Sequence, residues 1–403
     1  MAKPTAPKGR RNMREVYVVG IGITSFSRLD YPISEIAAYP AMIALKDAGL
    51  SKIDHLYVAN MGSGRVNGQT ALASAVIDTL SLTPAGAETI ENGPASGASA
   101  IKQGFMAVAS GLHDVVMVTG AERMRETNNL EATDFVATLT HQIAEYIYGV
   151  TLPSLAGMFT RLYMEQYGVT SRHLAMVAVK NHDNAMLNPF AHLHQKITIE
   201  GILDGPEALT NNPYVAEPLR FFDLCPVSDG GACVILATKE VAKKTGRPLV
   251  RLAGVGQATD THAVHERENP TDLLAVRRAA EQSFKMAGVK PSDVSVAELH
   301  DAFTILEIVE SEEVGFFKKG QGHIALEKGE TRIGGKIPIN TSGGLKAKGH
   351  PVGATGIGQA HEIVTQLRGE ARKRQVKDAK VGFTCNFGGF GNNVVCLTFI
   401  RED

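Results

Sequence analysis

An alternation of strand-like and helix-like segments, running through the chain twice, constrains its fold more than any other feature. Residues 16–23 (VYVVGIGI) form a continuous apolar run, and 34–48 have helical spacing that stops at Gly49. Residues 55–60 read as a strand, 67–80 as a small-residue helix, 88–92 as a short strand, 96–110 as an Ala/Gly-rich helix and 114–120 as an apolar strand. Residues 230–238 restore a buried strand before the rhythm starts again. The second pass has strands over 250–258 and 294–299, helices over 271–287 and 304–314, and closing strands over 380–385 and 393–400. Continuous apolar strands alternating with helices predict a mostly parallel sheet covered on both faces. The chain is expected to be an α/β protein of two related halves, 14–248 and 249–403, although no strict sequence repeat is visible.

Residues 127–215 break the rhythm and are rich in Tyr, Met, His and Asn. They read as an insertion lying over one face, helical over 152–167 and 173–186; long insertions on α/β scaffolds often build substrate pockets. Residues 1–13 are basic and Pro/Ala-rich, without the apolar core of a signal peptide, and are expected to form a disordered lead.

Composition excludes several function classes. The 403 residues suffice for two ordinary domains or one large duplicated one. A net charge of −1 gives no electrostatic footprint for nucleic acid or an acidic membrane surface. The absence of tryptophan and the 6% aromatic content weigh against base-stacking platforms. Cys225, Cys233, Cys385 and Cys396 lack CxxC spacing, so neither a cysteine zinc site nor a disulfide framework is expected, and the pattern suits a reducing cytoplasm. His182, His192 and His194 have no carboxylate at ligand spacing, so no metal is expected there either. No run of about 18 apolar residues provides a membrane span.

Two histidines stand out. His350 lies in Gly343–Gly356 (GGLKAKGHPVGATG), between a glycine and a proline. Histidine has the side-chain pKa nearest neutrality, which suits proton transfer; the alternative is a loop histidine bonded to backbone. His300 lies in ELHDAFT, residues 298–304, where a buried strand turns into a helix. That position suits binding of a negative oxygen, whereas the plainer reading has Asp301 capping the helix. Among weaker features, Glu122 reads as part of a structural salt bridge, and Tyr146, Tyr148 and Tyr163 as pocket or helix-packing residues.

The GGLKAKGHPxGATG and HDxFT strings, with CNFGGFG near the C-terminus, resemble the thiolase superfamily, specifically its sterol-carrier-protein-type branch in bacteria and archaea. The resemblance extends from Val16 to about Ile400. It implies a duplicated five-layered α/β/α/β/α fold and chemistry at the C–C bond beside the carbonyl of a coenzyme A thioester. It implies a homodimer and, as in several members, a small zinc-containing OB-fold partner. No covalently bound cofactor is implied. By resemblance His350 is the base and His300 the oxyanion partner, and Ser342, Gly343 and Gly388 are candidates for contact with coenzyme A.

The family's nucleophilic cysteine sits at a strand–helix turn. In this chain that position is Pro94, although Asn92, Ala95, Ser96 and Gly97 around it are retained. Proline fits the first turn of a helix but has no nucleophilic atom. Cys385 resembles the second, acid–base cysteine of the C-terminal motif, or is simply a buried small hydrophobe. Cys225, Cys233 and Cys396 read as structural. Three functions follow as expectations: a non-covalent, retro-aldol-like enzyme; an acyltransferase with a displaced nucleophile such as Cys385; or a catalytically silent acyl-CoA or lipid binder, or inactive subunit.

Overall fold

A computed structural model of the chain describes residues 13–402, so the expected lead lies outside the described residues except for Met13. Nine strands form one large sheet: β1 (Val16–Ile23), β2 (His55–Ala59), β3 (Gly86–Ile90), β4 (Val115–Glu122), β5 (Gly230–Thr238), β6 (Leu249–Thr259), β7 (Val296–Glu298), β8 (Val381–Gly388) and β9 (Asn393–Glu402). Their order is β3-β2-β4-β5-β1-β6-β9-β8-β7. The order is nearly palindromic about the β1/β6 joint. β1 matches β6, β5 matches β9, β4 matches β8 and β2 matches β7; Ile339, bridged in parallel to Ala297, stands where β3 stands in the first half.

The sheet is mixed rather than mostly parallel. Among the described strands only β2/β3, β2/β4 and β7/β8 are parallel pairs. The strands that alternate with helices do run in one direction within each half. One reversed strand per half, β5 or β9, is inserted among them and makes both of its contacts antiparallel. Alternation with helices fixes a strand's direction, but not the neighbour it acquires.

Six helices complete the layers: α1 (Ile33–Ala48), α2 (Leu72–Thr79), α3 (Ser96–Ser110), α4 (Leu274–Ala287), α5 (Thr304–Glu313) and α6 (Thr355–Arg368). Successive β5 side chains go to opposite faces. Ala232, Val234 and Leu236 pack with α3, α6 and the inner face of β9, whereas Cys233, Ile235 and Ala237 pack with α1 and α2. On β9, Val394 and Cys396 pack outward with α4 and α5. The result is helix, sheet, paired central helices, sheet, helix. Burial on both sheet faces is why these strands read as unbroken apolar runs. The two central helices meet at their N-termini through glycine: a Cβ on Gly97 would lie 2.8 Å from the Gly356 nitrogen.

The region 127–215 carries helices at Leu152–Tyr167 and Ser171–Ala185, and also an unforeseen one at Asn129–Ala137. Leu155, Phe159, Leu174 and Val177 pack against the outer face of the second half, with Ala279, Ile305 and Phe383. No described helix is long and apolar enough to cross a membrane.

Candidate active site

Three turns from distant parts of the sequence converge on one cavity of about 170 Å³. Pro94 comes from the turn between β3 and α3, His300 from the turn after β7, and His350 from the loop leading to α6. The two imidazole rings are edge to face, centroids 5.0 Å apart. The remaining wall is largely apolar and includes Met124, Val136, Leu152, Leu306, Phe387 and Phe390.

Hydrogen bonding gives the two histidines opposite polarity. Around His300 the decisive residue is Asn386. Its Oδ1 accepts from the Ala98 N–H (3.1 Å), so its Nδ2 donates to the Pro94 carbonyl (3.0 Å) and toward His300 Nδ1 (3.3 Å). The Phe387 N–H also points at Nδ1, at 3.5 Å. Nδ1 of His300 therefore accepts, and the ring proton sits on Nε2 as a donor. The His300 backbone is held by its N–H to Glu310 Oε2 (2.9 Å), and its ring stacks on Phe387.

For His350 the argument runs the other way. Its Nδ1 lies 2.7 Å from Thr355 Oγ1, and the Thr355 hydroxyl donates to the Pro351 carbonyl at 3.0 Å. A hydroxyl has one proton, so Nδ1–H must donate to it, which leaves Nε2 with a free lone pair. Both rings stay neutral. Burial, aided by Lys348, draws His350 down to about 3, and burial with His350 beside it holds His300 well below the usual histidine range. The cavity thus holds one neutral N–H donor and one neutral nitrogen acceptor, and can stabilise a developing oxyanion while receiving a proton.

Buried carboxylates anchor these loops. Glu122 accepts from the N–H groups of Met61 (3.1 Å), Gly62 (2.9 Å) and Gly353 (2.9 Å) and from Asn60 Nδ2 (3.0 Å). It ties β4 to the histidine loop, three residues beyond His350, instead of forming a salt bridge. Asp301 does not cap α5. It accepts from the N–H groups of Leu345 (2.6 Å) and Lys346 (3.3 Å) and from Asn181 Nδ2 (2.7 Å), bracing the start of the same loop.

The other sequence candidates lie elsewhere. Cys385 faces the packed core beside Cys396 and Glu310, and burial with these neighbours raises its thiol well above the ordinary range. Ser342 is fully buried and committed to Glu298, through Oγ (2.5 Å) and N–H (3.0 Å). Gly343 is buried at φ +105, with no room for a side chain beside Ala185. Gly388 lines a separate groove with Asn92, His262 and Asn393; neighbouring Gly389 lines both that groove and the cavity. Tyr163 is core-packed and bonded to Glu312, Tyr146 is bonded to Asp134 (2.8 Å), and Tyr148 is exposed. His182, His192 and His194 bond to Gln195 O, Ser228 Oγ and Asn188 O and shape their loop. Among the described residues no group of three or more His, Cys, Asp or Glu is arranged to hold a metal. Sequence reasoning missed Asn386, whose signal was a lone amide inside the buried strand VGFTCNFG, and it missed Cys225, which lines the cavity.

Residues 16–240 match the family described as thiolase, N-terminal domain, and residues 256–401 match thiolase C-terminal domain-like. The chain belongs to the thiolase family. The acetyl-CoA acetyltransferase of Methanothermobacter thermautotrophicus is 43% identical to this thiolase-family chain, across 96% of the chain and 100% of the relative. Sterol carrier protein 2 of Oryctolagus cuniculus is 32% identical, across 95% of this chain and 71% of its own length. Among solved structures, an Ltp2-ChsH2(DUF35) aldolase superimposes with a TM-score of 0.81 at 25% identity, covering 97% of this chain and 100% of that one. A monomeric SCP2-thiolase-like protein type 1 from Mycobacterium smegmatis shares the fold, with a TM-score of 0.74 at 19% identity over 97% and 78% of the two chains.

Proposed function

We propose that this chain breaks, or in reverse forms, the C–C bond next to the carbonyl of an acyl-CoA thioester by non-covalent, retro-aldol chemistry. The observation that carries the proposal is a donor histidine and an acceptor histidine facing one apolar cavity at which the nucleophile position is Pro94. In a β-hydroxyacyl-CoA, Nε2 of His350 takes the hydroxyl proton. The Cα–Cβ bond breaks, Cβ becomes a carbonyl carbon, and the bonding pair passes into the thioester enolate. The enolate oxygen is held by Nε2–H of His300. No acyl group is transferred to the protein.

An engineered cavity of about 150 Å³ holds benzene, so this one suits a reacting fragment of about one ring. The likeness to a solved aldolase supports the reaction class, and the ChsH2(DUF35) component of that aldolase supports a partner subunit here. For the homodimer we propose the edge strand β3, which pairs with β2 alone among the described residues. Acyl transfer is the second reading, favoured by the name of the 43% identical relative. It needs a nucleophile at the cavity, and the core position of Cys385 weighs against that residue.

The test is incubation of the full-length protein, alone and with a DUF35-type subunit, with a panel of β-hydroxyacyl-CoA thioesters. Equal amounts of acyl-CoA and carbonyl product are expected, with losses of about 10²–10⁴ in His350→Ala. No cleavage of any thioester in the panel would refute the proposal.

A further inference from the structure

The proposed cleavage must handle two protons: one leaves the hydroxyl, and another must reach the enolate α-carbon. His350 is occupied with the first, and His300 holds the oxygen. Among the described residues four polar side chains line the cavity: Thr133, Cys225, His300 and His350. The Thr133 hydroxyl donates to the Asn129 carbonyl (2.8 Å) within its own helix, and an alcohol is a weak acid. Cys225 remains. Its backbone N–H donates to the Ala302 carbonyl (3.0 Å), and Leu224 bridges Phe303, so it is fixed alongside the His300 turn.

A second observation points the same way. Lys346 is 2% exposed, and its ammonium has no hydrogen bond or ion pair among the described residues. It lies 5.6 Å from the centre of the Phe222 ring, and burial draws its ammonium down to about 8, with Cys225, Asp223 and Asp301 the neighbours whose negative forms would oppose this. A buried cation held only by an aromatic ring is costly unless a negative charge arises next to it.

We propose that Cys225 is the catalytic acid–base of the α-carbon, an assignment that rests on the enolate chemistry above. After the Cα–Cβ bond breaks, the enolate carbon takes the thiol proton, giving acyl-CoA and a Cys225 thiolate next to Lys346. The proton held by His350 then returns to the thiolate through water, and both groups are reset without any change of oxidation state. In reverse, the thiolate removes an α-hydrogen. Burial holds the thiol up at about 12 against the pull of Lys346, so it carries its proton into each cleavage cycle.

The experiment is deuterium incorporation at the α-carbon of propionyl-CoA in D₂O, followed by mass spectrometry with the full-length protein. Wild type should exchange α-hydrogen, and Cys225→Ala and Cys225→Ser should both lose about 10²-fold or more while still binding propionyl-CoA. Cys225→Ser also controls for folding, because it replaces the thiol with a group of similar shape. Exchange at the wild-type rate in both variants would overturn the assignment but leave the retro-aldol reading intact. An acyl adduct on Cys225 would overturn it in favour of nucleophilic catalysis. Wild-type protein that neither exchanges nor cleaves would remove the enolate chemistry on which the assignment rests.

Discussion

Asn386→Ala tests whether one amide side chain holds the site together. The native amide satisfies the buried Ala98 N–H and the buried Pro94 carbonyl and sets the protonation of His300. Truncation strands the first two groups. At about 1–3 kcal/mol for each unsatisfied buried group, the loss is roughly 2–6 kcal/mol. For a chain of this length, with an unfolding entropy near 2 cal/mol/K per residue, that lowers Tm by roughly 2–7 °C. His300 also loses its nearer Nδ1 donor and keeps only the Phe387 N–H at 3.5 Å. If the ring proton then divides between the two nitrogens, the oxyanion donor is weakened. Removing such a donor outright costs about 10²–10³ in kcat, so kcat/KM for β-hydroxyacyl-CoA cleavage should fall at least tenfold. Scanning calorimetry and steady-state kinetics on the same preparation read both effects. A Tm within about 1 °C of wild type together with kcat/KM within about twofold would refute the assigned network.

Three further perturbations probe the remaining parts. Glu122→Gln offers one acceptor oxygen where four N–H groups converge on two, so two buried donors lose partners; calorimetry should show a loss of roughly 2–6 kcal/mol, and unchanged stability contradicts the anchoring role. Pro94→Cys places a thiol at the start of α3 within the same cavity as His350, so incubation with acetyl-CoA should add an acetyl-sized mass to that cysteine; an unmodified variant would mean that the turn no longer presents a nucleophile. Burial lowers the folded-state pKa of His350 to about 3, of His182 and His361 to about 4, and of His300 well below 6.5. In this range these four histidines bind more protons in the unfolded chain than in the folded one, so their contribution to stability should fall as pH falls from 6.5 toward these values, while Glu122, Asp301 and Glu310, raised by burial to about 7, about 7 and about 8, contribute with the opposite sign. The catalytic base should persist over the same range, and an acid limb of kcat/KM centred near 6.5 would contradict the assignment of His350.

The apolar strands were legible because burial on both faces leaves unbroken runs such as VYVVGIGI and GGACVILAT. The strand order was not, because nothing within β5 or β9 records that each is inserted in reverse between other strands. His300 and His350 could be read because the glycine and proline pattern around a turn is local. Asn386 could not, because its role is a contact with Pro94 across 292 residues. The place of Cys225 on the cavity is hidden for the same reason: its neighbours there are His300 and His350, far along the chain. The plainer reading of Asp301 as a helix cap does not hold, because a carboxylate at a helix start has a ready local partner in sequence, whereas the fold supplies another in the Leu345 and Lys346 N–H groups.

The most direct test of the central claim is the intact mass of the wild-type protein during turnover, in the presence of acetyl-CoA and β-hydroxyacyl-CoA thioesters. The account predicts an unmodified chain while acyl-CoA and carbonyl product accumulate. An acyl-sized mass increase that free coenzyme A reverses would contradict it and return the chain to covalent acyl transfer.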